Sequence, residues 1–440
     1  MRNALEPQWE ARFEPRSYGF RPGRGCHDAI EAVFKTVNGK NAKRAWVLDL
    51  DLKAAFDHID HDFLLRQIDG FPAQGMIRKW LKAGLVDKGE FSPTEEGTPQ
   101  GGGISPLLLN VALHGMEEAA GVRYQFTAKT HGVTKTDSPV LVRYADDAVV
   151  LCHSKEHAER VQQDLARWLA PRGLAFNEDK TRIVHLDQGC DFLGFTIRRF
   201  RGKLLIKPSA QAIARLRAKL RDTVRACYGA NAAALIKALV PLVRGWAAYV
   251  RSQVSSKVFS QLDTYLWRLT YKWATRSHPN KPKRWVVGQY FGRFATSRTD
   301  RWIFGDRTTG AFIPRFAWTK IERHVAVHFR ASPDDPDLVG YWADRRRKKK
   351  PPLNATRLIL LRQQEGRCAL CGDFLLHADC EPQTPGQWAQ WLTTVQTAIN
   401  RNAITEQPLG APDDLSLIHA FCRPRTAKGP AHNPTPTRPA

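Results

Sequence analysis

Leu141-Val-Arg-Tyr144-Ala-Asp146-Asp147-Ala-Val-Val-Leu151 is the stretch on which the fold turns. Two short apolar runs, Leu141–Tyr144 and Ala148–Leu151, flank Ala145-Asp146-Asp147. Runs of this length, rich in aliphatic residues and parted by a short polar segment, predict two strands joined as a hairpin. Well upstream, Ala45-Trp-Val-Leu-Asp-Leu-Asp51 predicts a strand buried on both sides that ends in a carboxylate. Helical stretches separate these runs, so residues 1–200 predict an α+β domain, an antiparallel sheet with helices packed on one face.

Ionised carboxylates on a hydrophobic sheet are costly unless a cation pairs with them. Asp51 at a strand end and Asp146-Asp147 at a hairpin tip, brought together by folding, make the oxygen-rich site that Mg²⁺ prefers. A pair of such ions about 4 Å apart activates a primer hydroxyl and stabilises a leaving pyrophosphate, which is nucleotidyl transfer. Tyr-x-Asp-Asp alone also describes a polar turn, so the rest of the chain has to decide.

The chain has 440 residues and a formal charge of +24, a length that predicts two to four domains. Its excess charge is localised. Between Arg198 and Lys350, 34 Lys and Arg face 9 Asp and Glu, and the remainder is close to neutral. A basic block of that length, interleaved with Trp, Tyr and Phe, is the footprint of a polyanion, because each neutralised phosphate releases counterions. From Pro208 the pattern becomes helical. Ile213, Leu216, Leu220 and Val224 form one stripe, with Ser209 as N-cap and Gly229 as stop; Phe259, Leu262, Leu266, Leu269 and Trp273 form another. Both stripes predict a helix-bundle core with basic outer faces. Arg345–Lys350 followed by Pro351-Pro352 predicts a stiff charged linker. No uncharged run of about 18 apolar residues is present, so no membrane span is expected. The first residues lack the apolar core of a signal peptide, which leaves the cytoplasm as the expected location.

Of eight cysteines, Cys26, Cys152, Cys190 and Cys227 are scattered among apolar neighbours, whereas Cys368, Cys371, Cys380 and Cys422 cluster late. Cys368-Ala-Leu-Cys371 opens a knuckle that His419-Ala-Phe-Cys422 can close as a tetrahedral Cys₃His zinc site.

Order and company decide the meaning of the hairpin. Tyr18-Gly-Phe-Arg-Pro-Gly-Arg24, Asp51-Leu-Lys-Ala-Ala-Phe-Asp57 and Gly97-Thr-Pro-Gln-Gly-Gly-Gly-Ile-Ser-Pro106 precede Tyr144-Ala-Asp-Asp147. Asn177-Glu-Asp-Lys-Thr181 and Phe192-Leu-Gly-Phe195 follow it. This series resembles the group II intron reverse transcriptases, or intron maturases, block for block from the first residues to about Lys350. The resemblance implies a right-hand polymerase with palm and partial fingers, in which Asp51 and Asp146 hold two Mg²⁺ ions and Asp147 assists. It further implies that Phe56 lies under the sugar of the incoming deoxynucleoside triphosphate and that Gln100 contacts nucleotide and template. Arg21 would face the triphosphate, and Lys180 would lie close to primer or nucleotide phosphates. Pro241-Leu-Val-Arg-Gly-Trp-Ala-Ala-Tyr249 and Trp273-Ala-Thr-Arg-Ser-His-Pro279 resemble the thumb motifs of the same family. Arg244, Trp246, Tyr249, Lys281, Lys283 and Arg284 are then the candidates for contact with intron RNA.

The domain plan that follows is partial fingers and palm over 1–200, a helical maturase or thumb domain over 201–295, and a basic DNA-binding region with linker over 296–352. A degenerate HNH-like zinc module of ββα type is expected over 353–425 and a disordered tail over 426–440. That module departs from the family's nuclease: Cys380 stands where a His is sought near His377 and Asp379, and Arg423 follows Cys422. It reads as a zinc-stabilised DNA-binding remnant. The family also has some 70 residues ahead of this start, so a shortened N-terminus is expected. Intron RNA, a DNA target and primer, and deoxynucleoside triphosphates are the implied partners, with a homodimer an open option and no membrane. The leading expectation is RNA-directed DNA synthesis coupled to splicing and mobility. The alternative is an RNA-binding splicing cofactor, or a relic, whose polymerase is impaired by missing fingers.

Overall fold

Trp46–Asp51 forms a strand (β1) at the centre of the sheet that carries the acidic residues. Val140–Tyr144 (β2) and Asp147–Cys152 (β3) are the expected hairpin, and Arg182–His185 (β4) completes the sheet in the order β2-β3-β1-β4. β1 is antiparallel to both neighbours. The computed structural model describes every residue except 40–41, 88–89, 93, 100–101, 128–129, 348–351, 377–384, 409–414 and 423–440. The chain divides into two compact units, Met1–Arg330 and Ala331–Ala440.

Helices cover both faces of the sheet, not one. Leu48, Leu50, Ala148, Val150 and Cys152 pack with Ala158, Val161 and Leu165 of the helix Lys155–Leu169. Val47, Val140, Val142, Val149 and Leu151 pack on the opposite side with Ala29, Ile30 and Val33 of the helix Cys26–Val37. The physical reason is legible in the strands: four of the five residues of β2 and the last five of β3 are buried without alternation. Strands apolar on both sides need cover on both sides.

A second sheet, Cys190–Phe192 (β5), Phe195–Phe200 (β6) and Lys203–Pro208 (β7), joins this layer to the helical half. Leu193 and Gly194 make the β5–β6 turn with φ of 49° and 79°. Two left-handed residues in succession are the pattern of a type I′ hairpin, and glycine at the second relieves it. The Ser209 hydroxyl caps the helix Ala210–Ala226, accepting from the Ala212 amide at 3.1 Å, as its spacing predicts.

Three helices, Ala210–Ala226, Ala232–Val250 and Ser256–Ser277, form the bundle. Both expected stripes are its core: Leu216, Leu220 and Val224 meet Phe259, Leu262, Leu266 and Trp273. Ala232–Val250 has the length and composition to cross a membrane. Its Leu235, Leu239, Val243 and Val250 are instead buried in this core, with Lys237 and Arg244 on the exposed side, which is how an internal helix is built. Phe304, Ile313 and Phe316 join the same core, so residues up to Arg330 belong with the bundle and the expected 296–352 region is divided.

The second unit packs Leu361, Cys368, Leu375, Val395, Leu417 and Ile418 together. Its described elements run helix Val339–Arg347, helix Ala355–Gln363, knuckle, helix Pro385–Asn400 and hairpin Ile404–Pro408 with Leu415–His419. The hairpin follows the helices, so the ββα order expected from the sequence is not the order found among the described residues. Trp342 is buried here and its indole N–H donates to the Ser332 carbonyl at 2.7 Å, which draws 331–347 into this unit.

Candidate active site

The β1–β3 register sets Asp51 opposite Asp147, and the hairpin sets Tyr144 opposite Asp147. Facing residues in antiparallel strands have Cα atoms about 4.5–5.5 Å apart. Asp146 occupies the turn beside them, so the three aspartates gather at one end of the sheet. Side chains alternate along a strand, and Asp49 therefore shares a face with Asp51. Asp49 was not expected in the site, although the period-two spacing in Trp46-Val-Leu-Asp-Leu-Asp51 carries that signal. Its carboxylate accepts from Arg182 Nε at 3.3 Å.

Asn177–Thr181 brings in the cation. The Asn177 amide donates to the Asp51 carbonyl at 2.8 Å, and the turn closes through the Thr181 amide on the Asn177 carbonyl at 2.8 Å. Lys180 Nζ then lies 3.1 Å from Asp51 Oδ2. Asp147 reaches solvent, yet the protein mass beside it, followed by the charges of Asp146, Asp51 and Asp49, pushes its carboxyl up to about 6. Lys180 pulls the other way. Four carboxylates against Lys180 and Arg182 leave surplus negative charge that a divalent cation relieves.

The turn is held from behind by buried polar groups. Ala145 adopts φ of 58°, a left-handed conformation that costs an alanine about 1–2 kcal/mol. Arg143, fully buried, donates from Nη1 to the Ala145 carbonyl at 3.1 Å and to Asn110 Oδ1 at 2.8 Å, and Asn110 Nδ2 donates to the Gly19 carbonyl at 2.9 Å. Gly19 lies so close that a Cβ there would stand 2.1 Å from the Ala145 nitrogen. This close approach accounts for glycine in Tyr18-Gly-Phe-Arg. Gly19→Ala is expected to displace the Asp146 turn, lowering stability by at least about 2 kcal/mol in urea unfolding and abolishing activity; a variant as stable as the parent would show that the backbone yields.

Arg21 is the clearest correction. Its side chain is buried, paired with Glu10 Oε2 at 2.8 Å, and donates to the carbonyls of Glu14 and Ser17 at 2.7 and 2.8 Å. A guanidinium whose donors are spent inside the protein cannot face a triphosphate. Glu117 belongs to the same layer, accepting from the Arg16 amide at 3.0 Å and from the Tyr124 hydroxyl. Burial first, then the charge of Glu14, pushes it up to about 7. An acid whose folded pKa exceeds its unfolded value contributes stability below the unfolded value that is lost as pH rises through the folded one. In Glu117→Gln, the melting temperature relative to the parent is therefore expected to rise between pH 5.5 and 8. A difference independent of pH would remove Glu117 from this account.

Phe56 sits in the short helix Ala55–His58, half-buried, its ring 6.2 Å from that of Phe20. The Thr98 amide donates to the Phe56 carbonyl at 2.6 Å, which docks the start of the glycine-rich loop on that helix. Gln100 of this loop lies outside the described residues.

A cleft of 630 Å³ opens between the acidic strands and the bundle. Asp49, Asp147 and Asp191 line one side, and Arg215, Lys219, Trp246 and Tyr249 the other. Asp191, Arg215 and Lys219 had no motif to mark them; only packing of the second sheet on the bundle brings them here. Tyr249 and Trp246 are structural posts in this wall. The Tyr249 hydroxyl donates to the Leu193 carbonyl at 2.8 Å with its ring stacked on Phe195, and Trp246 packs edge-on against Phe259 and Phe316. Of the other thumb candidates, Arg244, Lys281, Lys283 and Arg284 are exposed.

In the second unit the ligand atoms of Cys368, Cys371, His419 and Cys422 all lie within 4.8 Å of one another. His419 Nδ1 stands 3.4 Å from Cys371 Sγ and 3.8 Å from Cys422 Sγ. Zinc bonds of about 2.3 Å to sulfur and 2.0–2.1 Å to nitrogen imply tetrahedral edges of roughly 3.5–3.8 Å, so the donor set fits. His419 Nε2 is 3.1 Å from the Phe374 carbonyl, a contact that orients the ring with Nδ1 inward. His377, Asp379 and Cys380 lie outside the described residues.

Residues 1–197 match the family "Reverse transcriptase (RNA-dependent DNA polymerase)", and residues 213–291 match "Group II intron, maturase-specific domain". Protein YkfC of Escherichia coli (strain K12) is 32% identical over 226 residues, 46% of this chain and 59% of that protein. Group II intron-encoded protein LtrA of Lactococcus lactis subsp. cremoris is 30% identical over 253 residues, 45% of this chain and 42% of LtrA. The match thus spans only about half the length of these relatives. Among solved structures, apo telomerase from Candida tropicalis aligns with 65% of this chain and 50% of its own at 13% identity, with a TM-score of 0.37, too low to carry an argument. The two domain matches lie in order along one chain, the first over the acidic sheet and the second over the basic bundle. By its sequence relationships, this chain carries a segment that matches the reverse transcriptase family, followed by one that matches the group II intron maturase-specific domain.

Proposed function

We propose that this chain is an RNA-directed DNA polymerase of a group II intron that also binds the intron RNA and assists its splicing and mobility. The observation that carries the reading is the strand register that sets Asp51 against Asp147 beside the Asp146 turn. Asp51 and Asp146, with Asp147 assisting, would hold Mg²⁺, which supplies activation of the primer 3′-hydroxyl and charge neutralisation on the leaving pyrophosphate. Lys180 offers its ammonium to phosphate oxygens once a metal takes over Asp51. Phe56 would bar a 2′-hydroxyl with its aromatic ring, and Gln100 would contact nucleotide and template. The cleft wall bearing Arg215 and Lys219 receives the primer duplex.

Intron RNA binding rests on separate residues, the exposed Arg244, Lys281, Lys283 and Arg284, within the segment where basic residues outnumber acidic ones 34 to 9. That separation favours a splicing role that survives loss of the aspartates. A structural zinc ion at Cys368, Cys371, His419 and Cys422 is part of the same proposal. The primary test is extension of a DNA primer on an RNA template by the purified chain with Mg²⁺ and deoxynucleoside triphosphates. Binding of the primed template without any extension would leave the splicing role and remove the polymerase.

A further inference from the structure

A second cavity, of 450 Å³, lies against the bundle and shares no lining residue with the acidic cleft. It is bounded by Trp267 of the helix Ser256–Ser277, by the strand pair Phe291–Gly292 and Ile303–Phe304, and by Trp302. Its walls are aromatic. Trp267 stacks on Tyr271 at 5.3 Å and 10°, and Trp302 meets Trp267 edge-on at 6.1 Å and 84°. Trp302 is 61% exposed, an unusual position for an indole that no packing demands. The Trp267 indole N–H is buried with no hydrogen-bond partner among the described residues. Other polar groups at the site are spent: Asp263 accepts from the Phe316 and Ala317 amides at 2.7 and 3.2 Å and from Arg315 Nε at 3.3 Å, and the Thr270 hydroxyl donates to the Leu266 carbonyl at 3.0 Å.

The surroundings are cationic. Arg268 and Lys272, each one position on from Trp267 and Tyr271, and Arg301 beside Trp302 are exposed and have no ion-pair partner among the described residues. A cavity of this size lies within the roughly 300–1,000 Å³ of small-ligand sites. Two lining indoles, one of them with an unpaired ring N–H, suit a flat heterocycle carrying a hydrogen-bond acceptor, and the free cations suit a phosphate chain passing outside.

We propose that this cavity receives one unpaired base of a bound RNA strand, stacked against Trp302 and accepting a hydrogen bond from Trp267 Nε1. The inference rests on the RNA-binding reading above and adds to it a site and a mode. RNA is the committed occupant because the helix bearing Trp267 and the residue Phe291 both fall in the maturase-specific match. With a single free donor to read the base, the pocket distinguishes bases weakly, since every base presents an acceptor.

The test is equilibrium binding of the full chain, without Mg²⁺ or nucleotides, to fluorescein-labelled oligo(rA), oligo(dA) and a strand of abasic tetrahydrofuran units. Trp302→Ala is expected to weaken oligo(rA) binding about tenfold, as loss of one stacked base does. Trp302→Phe should restore most of it, and neither change should alter binding of the abasic strand. Trp302 is exposed, so its truncation opens no core. Unchanged oligo(rA) affinity in Trp302→Ala overturns the proposal, and so does an equal loss on the abasic strand. A larger loss on oligo(dA) than on oligo(rA) overturns RNA as the occupant. Failure of the parent chain to bind any strand overturns the RNA-binding reading itself, a result distinct from binding that ignores Trp302.

Discussion

Asp146→Asn and Asp51→Asn are each expected to reduce Mg²⁺-dependent primer extension by at least about a thousandfold while leaving the fold intact. A lost ligand forfeits several kcal/mol of transition-state charge stabilisation, and each 1.36 kcal/mol is tenfold in rate. Stability should move the other way. Asp146 is the first of the charges that push the Asp147 carboxyl up, with Asp51 next. Replacing either by a neutral amide of the same shape relieves that repulsion in the metal-free chain. Melting temperature in chelator should therefore stay level or rise, while activity disappears. Asp51→Asn differs in one respect, because it also frees Lys180, now 3.1 Å from Asp51 Oδ2, and so leaves a cation without its partner. Its stability gain should be the smaller of the two. Asp146→Asn retaining more than a tenth of the parent rate would withdraw the metal-binding role of the hairpin tip. A variant inactive only because it is unfolded would show a lowered melting temperature, which the charge argument forbids.

Removal of zinc is the second large effect. The purified chain is expected to carry one zinc ion, measurable by elemental analysis, and Cys371→Ser should lose it. Structural zinc contributes about 10–16 kcal/mol of apparent binding free energy that a small domain spends on folding. The second unit has a modest core around Leu361, Val395, Leu417 and Ile418, with Cys368 itself a member. Cys368 in the knuckle and His419 at the end of the strand Leu415–His419 come together here, and a zinc ion bound by both would tie the two segments. Chelation should therefore expose residues 352–422 to protease while the first unit, Met1–Arg330, stays resistant and keeps its primer-extension activity. A chain that holds no zinc, or one with the same cleavage pattern before and after chelation, would reduce the four residues to a packed thiol cluster.

The acidic strands were legible because local rules suffice for them. Two apolar runs around Ala145-Asp146-Asp147 can hardly be other than a hairpin, and Asp51 ends a run too apolar to lie at the surface. The bundle stripes and the Ser209 cap were equally local. Arg21 was misread for the opposite reason. An arginine in a motif attracts a phosphate-binding role, but whether its donors are free depends on Glu10 and on two backbone carbonyls placed only by folding.

Sequence alone marked the residues here proposed to bear the chemistry: the aspartates at 51, 146 and 147, the four zinc-type donors, and a basic helical half. Those assignments follow from residue type, spacing and periodicity, which act over a few positions and need no partner. Only the tertiary structure decided that Asp191 joins the acidic cleft, that Arg143 and Gly19 brace the turn, and that Trp267 and Trp302 enclose a pocket. Each of these is a meeting of segments far apart in the chain. Such meetings are selected by how the whole apolar surface is buried at once, a condition no local pattern contains.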